Sequence, residues 1–164
     1  MALALEKIVS GGQNGVDRGA LDAALALDFA CGGWCPAGRL AEDGPIPQRY
    51  PVVELAGADY RRRTTRNVLD SDATLILAYG PLSGGTRQTR HDCVRCGKPF
   101  LVIDAAVSRP TEAAAQAAAL VERCAARVLN VAGPRQSNWT GARAYADETV
   151  RALILHARRA RSSA

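Results

Sequence analysis

Glycine, hydroxyl and guanidinium side chains recur in this sequence where a strand gives way to a helix, the composition of an anion-binding loop. In the first such place Lys7-Ile8-Val9-Ser10 leads into Gly11, Gly12, Gln13, Asn14 and Gly15, followed by Val16, Asp17 and Arg18. Glycine admits positive φ and lets the backbone come close to a ligand. A helix beginning there aims unsatisfied N–H groups and its positive dipole end at the same spot. A phosphate-like group is the natural guest. The spacing is neither the dinucleotide Gly-x-Gly-x-x-Gly nor the Lys-Ser/Thr loop of the NTPases.

The pattern returns at Gly80-Pro81-Leu82-Ser83-Gly84-Gly85-Thr86, a second glycine turn opening a helix, with Thr86 placed to cap it and to offer a hydroxyl. Ala132-Gly133-Pro134-Arg135-Gln136-Ser137 adds the Arg135 guanidinium, suited to bidentate contact with phosphate or carboxylate. Any one of these stretches could be an ordinary turn, because Gly and Ser are common there for backbone reasons. Three together, with Arg87 and Arg90 nearby in sequence, favour a ligand site. A fourth segment, Gly32 to Pro47, is too irregular for a plain connector. It reads either as a lid, with Arg39 as a donor and Glu42 or Asp43 reading a heterocycle, or as a proline-stiffened cover over a sheet edge.

The elements that must position these loops follow from the alternation of short apolar runs with helix-like segments. Strands are expected at Ile8 to Ser10, Ala73 to Tyr79, Phe100 to Asp104 and Val128 to Val131. Helices are expected from about Val16 to Leu27, Tyr60 to Leu69, Thr86 to Cys96, Glu112 to Ala125 and Thr140 to Arg158. Continuously apolar strands separated by helices mean a mainly parallel sheet covered on both faces, hence a Rossmann-like three-layer α/β/α sandwich. In open sheets of this kind ligands sit beyond the carboxyl ends of the strands, where the glycine loops lie. Residues 1–158 are expected to form one domain and residues 159–164 a disordered basic tail.

Composition narrows the function classes. A chain of 164 residues, 48% of them apolar, can bury one ordinary core and has no room for a second domain. Five cysteines, an odd number, and no basic-then-apolar leader argue for free thiols and a cytoplasmic protein. The longest apolar stretches are interrupted well short of the roughly 20 residues that cross a bilayer. The formal charge of +5 comes largely from Arg61, Arg62, Arg63 and Arg66 and from Arg158, Arg159 and Arg161. Two separate runs without interleaved aromatics read as solvated helix faces and a frayed terminus, which disfavours nucleic-acid binding. They still help to gather a small anionic ligand.

Other chemistry is less well supported. His91-Asp92-Cys93-Val94-Arg95-Cys96 contains Cys-x-x-Cys, yet a structural zinc needs four ligands, and only Cys31 and Cys35 could complete the set from a distant segment. Cys93, Cys96 and Cys124 read as packing residues, and His91 as a helix-surface residue. Trp34 reads as core or as a ring stacked on the ligand. Val150, Leu153, Ile154 and Ala157 on the last helix would serve a subunit contact as easily as the core.

Several of these stretches together resemble the molybdenum carrier family. They are Ile8-Val9-Ser10-Gly11-Gly12-Gln13 through Asp17, Gly33-Trp34-Cys35-Pro36, Gly38-Arg39-Leu40-Ala41-Glu42-Asp43-Gly44, Asn67 with Asp70-Ser71-Asp72-Ala73-Thr74-Leu75-Ile76, Gly84-Gly85-Thr86, and Leu129-Asn130-Val131-Ala132-Gly133-Pro134-Arg135. That family is Rossmann-like and related to the "lonely guy" phosphoribohydrolases. The resemblance implies a homo-oligomer, a dimer or tetramer, that holds molybdenum cofactor, a pterin bearing a phosphate and a metal-binding dithiolene, without transforming it. The related hydrolases carry Gly-Gly-x-Gly-Thr-x-x-Glu, whose glutamate serves glycosidic cleavage; here Thr89 stands at that position. The obvious general acid/base is missing, although Asp17, Glu42 or Asp43 could substitute. The expected ligand contacts are Gly11, Gly12, Gln13, Asn14, Gly15, Asp17, Arg39, Ser83, Gly84, Gly85, Thr86 and Arg135. The alternative is a nucleotide-binding enzyme or a nucleotide sensor on the same edge.

Overall fold

The computed structural model describes residues 2–57 and 59–164. Five strands, β1 (Lys7–Val9), β2 (Cys31–Gly32), β5 (Ala73–Ala78), β6 (Phe100–Asp104) and β7 (Val128–Ala132), form a sheet in the order β2-β1-β7-β5-β6. Every pairing in it is parallel. β5 is buried at all six positions, as a strand covered on both faces must be. Two further strands, β3 (Trp34–Cys35), inside the irregular Gly32 to Pro47 passage, and β4 (Val53–Glu54), beyond it, pair with each other in parallel.

Five helices cover the sheet. α5 (Ala142–Ser162) packs against both α1 (Val16–Ala26) and α4 (Pro110–Cys124) on one face, while α2 (Tyr60–Leu69) and α3 (Gly84–Arg95) pack together on the other. The sandwich is therefore three-layered, as the alternating pattern implies. The main core joins Leu75, Leu77, Leu129 and Val131 of the sheet to Ala20, Leu120, Val150 and Leu153. On the opposite face of the same strands lie the buried polar Thr74 and Asn130, whose side chains are hydrogen-bonded at 3.3 Å. The alanine-rich α4 packs closely because Ala113, Ala117 and Ala118 turn inward.

Several details differ from the sequence reading. α5 continues through the basic stretch to Ser162; Arg158 donates to the Leu27 carbonyl at 2.5 Å and Arg161 to the Leu5 carbonyl. Val150, Leu153, Ile154 and Ala157 are at most 1% exposed, so the core takes the apolar face of α5. Cys93 is buried on the inner face of α3, and Cys96 and Cys124 are half-buried. No described helix is long and apolar enough to cross a membrane.

Candidate functional site

The sheet order makes β1, β7 and β5 consecutive, so the loops that follow them open side by side at one edge. They are also stitched together: the Gln136 amide donates to the Asn14 carbonyl at 2.9 Å, and the Val16 amide to that of Pro134 at 3.2 Å. Gly133 marks a close approach of backbone to backbone, since a Cβ there would stand 2.2 Å from the Leu77 carbonyl oxygen. With the start of α2 as a fourth wall, these loops enclose a cleft of about 510 Å3. That volume falls within the range of small-molecule sites.

The second glycine turn is the open one. Gly84 has φ 51°, the left-handed region, and starts α3 with Ser83 as its N-cap. Ser83 makes no capping bond, and no described residue accepts from the amides of Gly84, Gly85 or Thr86. Those N–H groups and the dipole end face the cleft, and beyond the neighbouring residues and the helix's own backbone no described atom lies within 4 Å of a Cβ built on Gly84 or Gly85. Thr86, expected as the cap, sits within the first turn and lines the cleft. Thr89, at the position of the hydrolase glutamate, donates its hydroxyl to the Gly85 carbonyl at 3.0 Å.

The first glycine turn is different, because its anion is supplied by the protein. Asp17, in the first turn of α1, accepts from the Gln13 amide at 3.2 Å and faces Arg63 Nη1 at 3.6 Å. Arg63 lies directly over Gly11. Burial pushes the Asp17 carboxyl up despite Arg63 and the Gln13 amide, and burial likewise pulls the Arg63 guanidinium down. Of this turn Gln13, together with Asp17, lines the cleft; Gly11, Gly12, Asn14 and Gly15 are not among its described lining residues.

Arg39 is likewise absent from the cleft. Its guanidinium donates to the carbonyls of Ile46, Pro47, Tyr50 and Val52, which folds the 37–52 segment on itself. Asp43 accepts two bonds from the buried Arg18, at 2.5 and 2.8 Å, and Glu42 accepts from the Ser137 amide and hydroxyl. The segment is a latched cover whose three charged candidates are committed to holding it down. Trp34 donates its indole N–H to Asp70 at 2.7 Å, away from the cleft, and Arg87 and Arg90 are exposed outside it.

The arginine run read as a solvated face contributes most of what the sequence reading missed. Tyr60, Arg63, Thr64 and Asn67 occupy successive turns of α2 and point inward, so Tyr60, Arg63 and Thr64 reach the cleft along with Arg61 at its rim. Arg135 lies over the Tyr60 ring at 4.9 Å and Arg63 at 6.0 Å from its centroid. The i, i+3, i+4 spacing of Tyr60, Arg63 and Thr64 was the available signal: an amphipathic helix with polar groups on its inner face. Among the described lining residues the cleft has three arginines and one carboxylate, Asp17.

Two residues of the cleft wall each carry a buried polar atom without a partner, Gln13 Oε1 and Arg63 Nε. Buried polar groups are nearly always paired, so such atoms in a cleft wall point to a ligand's hydrogen bonds.

A model of the "circularly permutated YpsA SLOG family" matches residues 8–154. The crystal structure of a "putative molybdenum carrier protein" from Syntrophus aciditrophicus SB superposes with a TM-score of 0.90 at 38% identity, covering 94% of this chain and 98% of that one. No curated protein matches. The chain belongs to the circularly permutated YpsA SLOG family and is a relative of that protein.

Proposed function

We propose that this protein binds a small phosphate-bearing ligand and holds it without transforming it, and that the ligand is molybdenum cofactor. The observation that carries the reading is the open N-terminus of α3: free amides at Gly84, Gly85 and Thr86 beside a cleft edged by Arg61 and Arg135. The name borne by the 38% identical relative supports the choice of ligand. The residues present suit such a guest. Open amides and guanidinium groups answer a phosphate, and the orphaned Gln13 Oε1 and Arg63 Nε answer a polar ring. No cysteine or histidine is among the described lining residues, so the dithiolene would keep the metal and the protein would hold the pterin.

Turnover is disfavoured by the carboxylate inventory. Cleaving a glycosidic bond needs a titratable group free to reach the leaving atom, whereas Asp17 is held beneath Arg63 and Thr89 replaces the hydrolase glutamate. Five unpaired thiols suit a cytoplasmic setting. A dimer or tetramer would have to use a surface other than the buried apolar face of α5.

Calorimetric titration with molybdenum cofactor and with nucleoside monophosphates tests the reading, with chromatography for released base. Saturable cofactor binding and no release are expected; nucleotide binding without cofactor binding would sink the carrier role, and base release would establish an enzyme.

A further inference from the structure

The cleft is polarised, and its floor differs in kind from its rim. At the rim are the α3 amides and the guanidinium groups of Arg61 and Arg135, all suited to an anion. At the floor the Asp17 carboxylate stands 3.6 Å from Arg63, so the pair is close to neutral together. Beside that pair are the two orphans. Gln13 is 5% exposed, and its Nε2 donates to the Leu40 carbonyl at 2.8 Å, which fixes the amide so that Oε1 is left as a free acceptor. Arg63 is 9% exposed, and its Nε–H is a free donor.

A second anion would gain little from a floor whose one cation is already matched by Asp17. An apolar group would leave both orphan atoms unpaired, as they are in the free protein, and so forgo the roughly 1–3 kcal/mol each that pairing a buried group recovers. What fits is a neutral group that donates one hydrogen bond and accepts another.

We propose that Gln13 and Arg63 form a specificity subsite for the lactam edge of an oxo-heterocycle. Gln13 Oε1 accepts from the ring N–H and Arg63 Nε–H donates to the adjacent C=O. This rests on the reading of the rim as the anion site, and it identifies the ligand class by the other end of the molecule. An oxopurine nucleotide and a pterin phosphate share this edge, whereas adenine offers an acceptor where the lactam has its N–H.

Isothermal titration of the wild-type protein with ribose 5-phosphate, AMP, GMP and phosphorylated 6-hydroxymethylpterin separates the possibilities. The two lactam ligands should bind about 10–100-fold more tightly than AMP, with AMP no better than ribose 5-phosphate. GMP above the pterin names a purine ligand, and the reverse names a pterin, each with the subsite upheld. In Gln13→Leu the ratio of GMP to AMP affinity should fall close to one. Equal affinity for GMP, the pterin and AMP in the wild-type protein, with ribose 5-phosphate still bound, would overturn the subsite and leave the anion site standing. If no phosphate compound bound at all, the reading of the rim would fail with it.

Discussion

Replacing Arg63 with methionine would leave Asp17 as a buried carboxylate without its counter-charge, and the cost follows from the geometry. Nη1 and Oδ2 are 3.6 Å apart, and the two side chains are 11% and 7% exposed. At an effective dielectric constant of about 20, two unit charges at that distance attract by about 5 kcal/mol. Desolvation of the two ions cancels much of that, so the pair adds little net stability, but removing one partner leaves the other's penalty uncompensated. A loss of about 3 kcal/mol is expected for Arg63→Met, or about 6–12 °C in Tm for a chain of this size. The Asp17 carboxyl is already held above its ordinary value by burial, and losing Arg63 raises it further. A folded-state pKa above the unfolded one means that the native protein binds the extra proton, so stability falls as pH rises through that window. The Arg63→Met deficit should therefore be larger at pH 8 than at pH 5. Asp17→Asn should lose a similar amount at pH 5 and no more at pH 8, because it removes the carboxyl that titrates while the guanidinium stays charged. The double variant should lose at least about 2 kcal/mol less than the sum of the singles. Urea unfolding followed by circular dichroism at both pH values measures all four proteins. Additive losses, or an Arg63→Met deficit that ignores pH, would refute the coupled buried pair.

Three further outcomes follow from the same structure. Gly84→Val places a β-branched residue at φ 51° and a side chain in the open mouth of the cleft, so ribose 5-phosphate affinity should fall at least about 100-fold while the far-ultraviolet circular dichroism is retained. Asp43→Asn leaves the 2% exposed Arg18 charge without its carboxylate and should cost about 1–2 kcal/mol at pH 7, discounted because Asp43 itself is 41% exposed. The Arg18 hydrogen bonds hold the Asp43 carboxyl below its usual value, so that contribution is present above about pH 4 and disappears as pH falls through the folded-state pKa; unfolding at pH 7 and pH 3 should show the difference shrinking. Gly133→Ala drives a methyl into the Leu77 carbonyl at 2.2 Å and should lower stability by about 2–3 kcal/mol, seen as a lower Tm, whereas an unchanged Tm would mean that the β7 and β5 ends are not so close.

Much of the fold was legible because its period is long and regular. Phe100–Asp104 and Tyr60–Leu69 fall where apolar runs and helical spacing put them, and the parallel sheet follows from strands apolar on both faces. The β2, β3 and β4 strands were not legible, since two residues carry no period; β2 pairs with β1, and β3 and β4 flank a cover tied down by Arg39, Arg18 and Tyr50. In the cleft, Ser83 to Thr86 and Arg135 were found from turn chemistry alone. The Gly11 to Gly15 turn looked equally open in sequence because nothing local says that Asp17, two residues after it, will occupy its amide, or that Arg63 will cross over from another layer. Tyr60 and Arg63 were hidden in a charge run whose average says surface, while its helical spacing places one arginine inside.

If the amides that open α3 receive the ligand's phosphate, nuclear magnetic resonance of 15N-labelled protein will register binding at those positions. On titration with ribose 5-phosphate, the amide signals of Gly84, Gly85 and Thr86 should shift together and saturate with one Kd, while those of Gly11 and Gly12, behind Arg63, change little. Binding that leaves the Gly84 to Thr86 amides unmoved, or no binding at millimolar ligand, would rule out the start of α3 as the phosphate site.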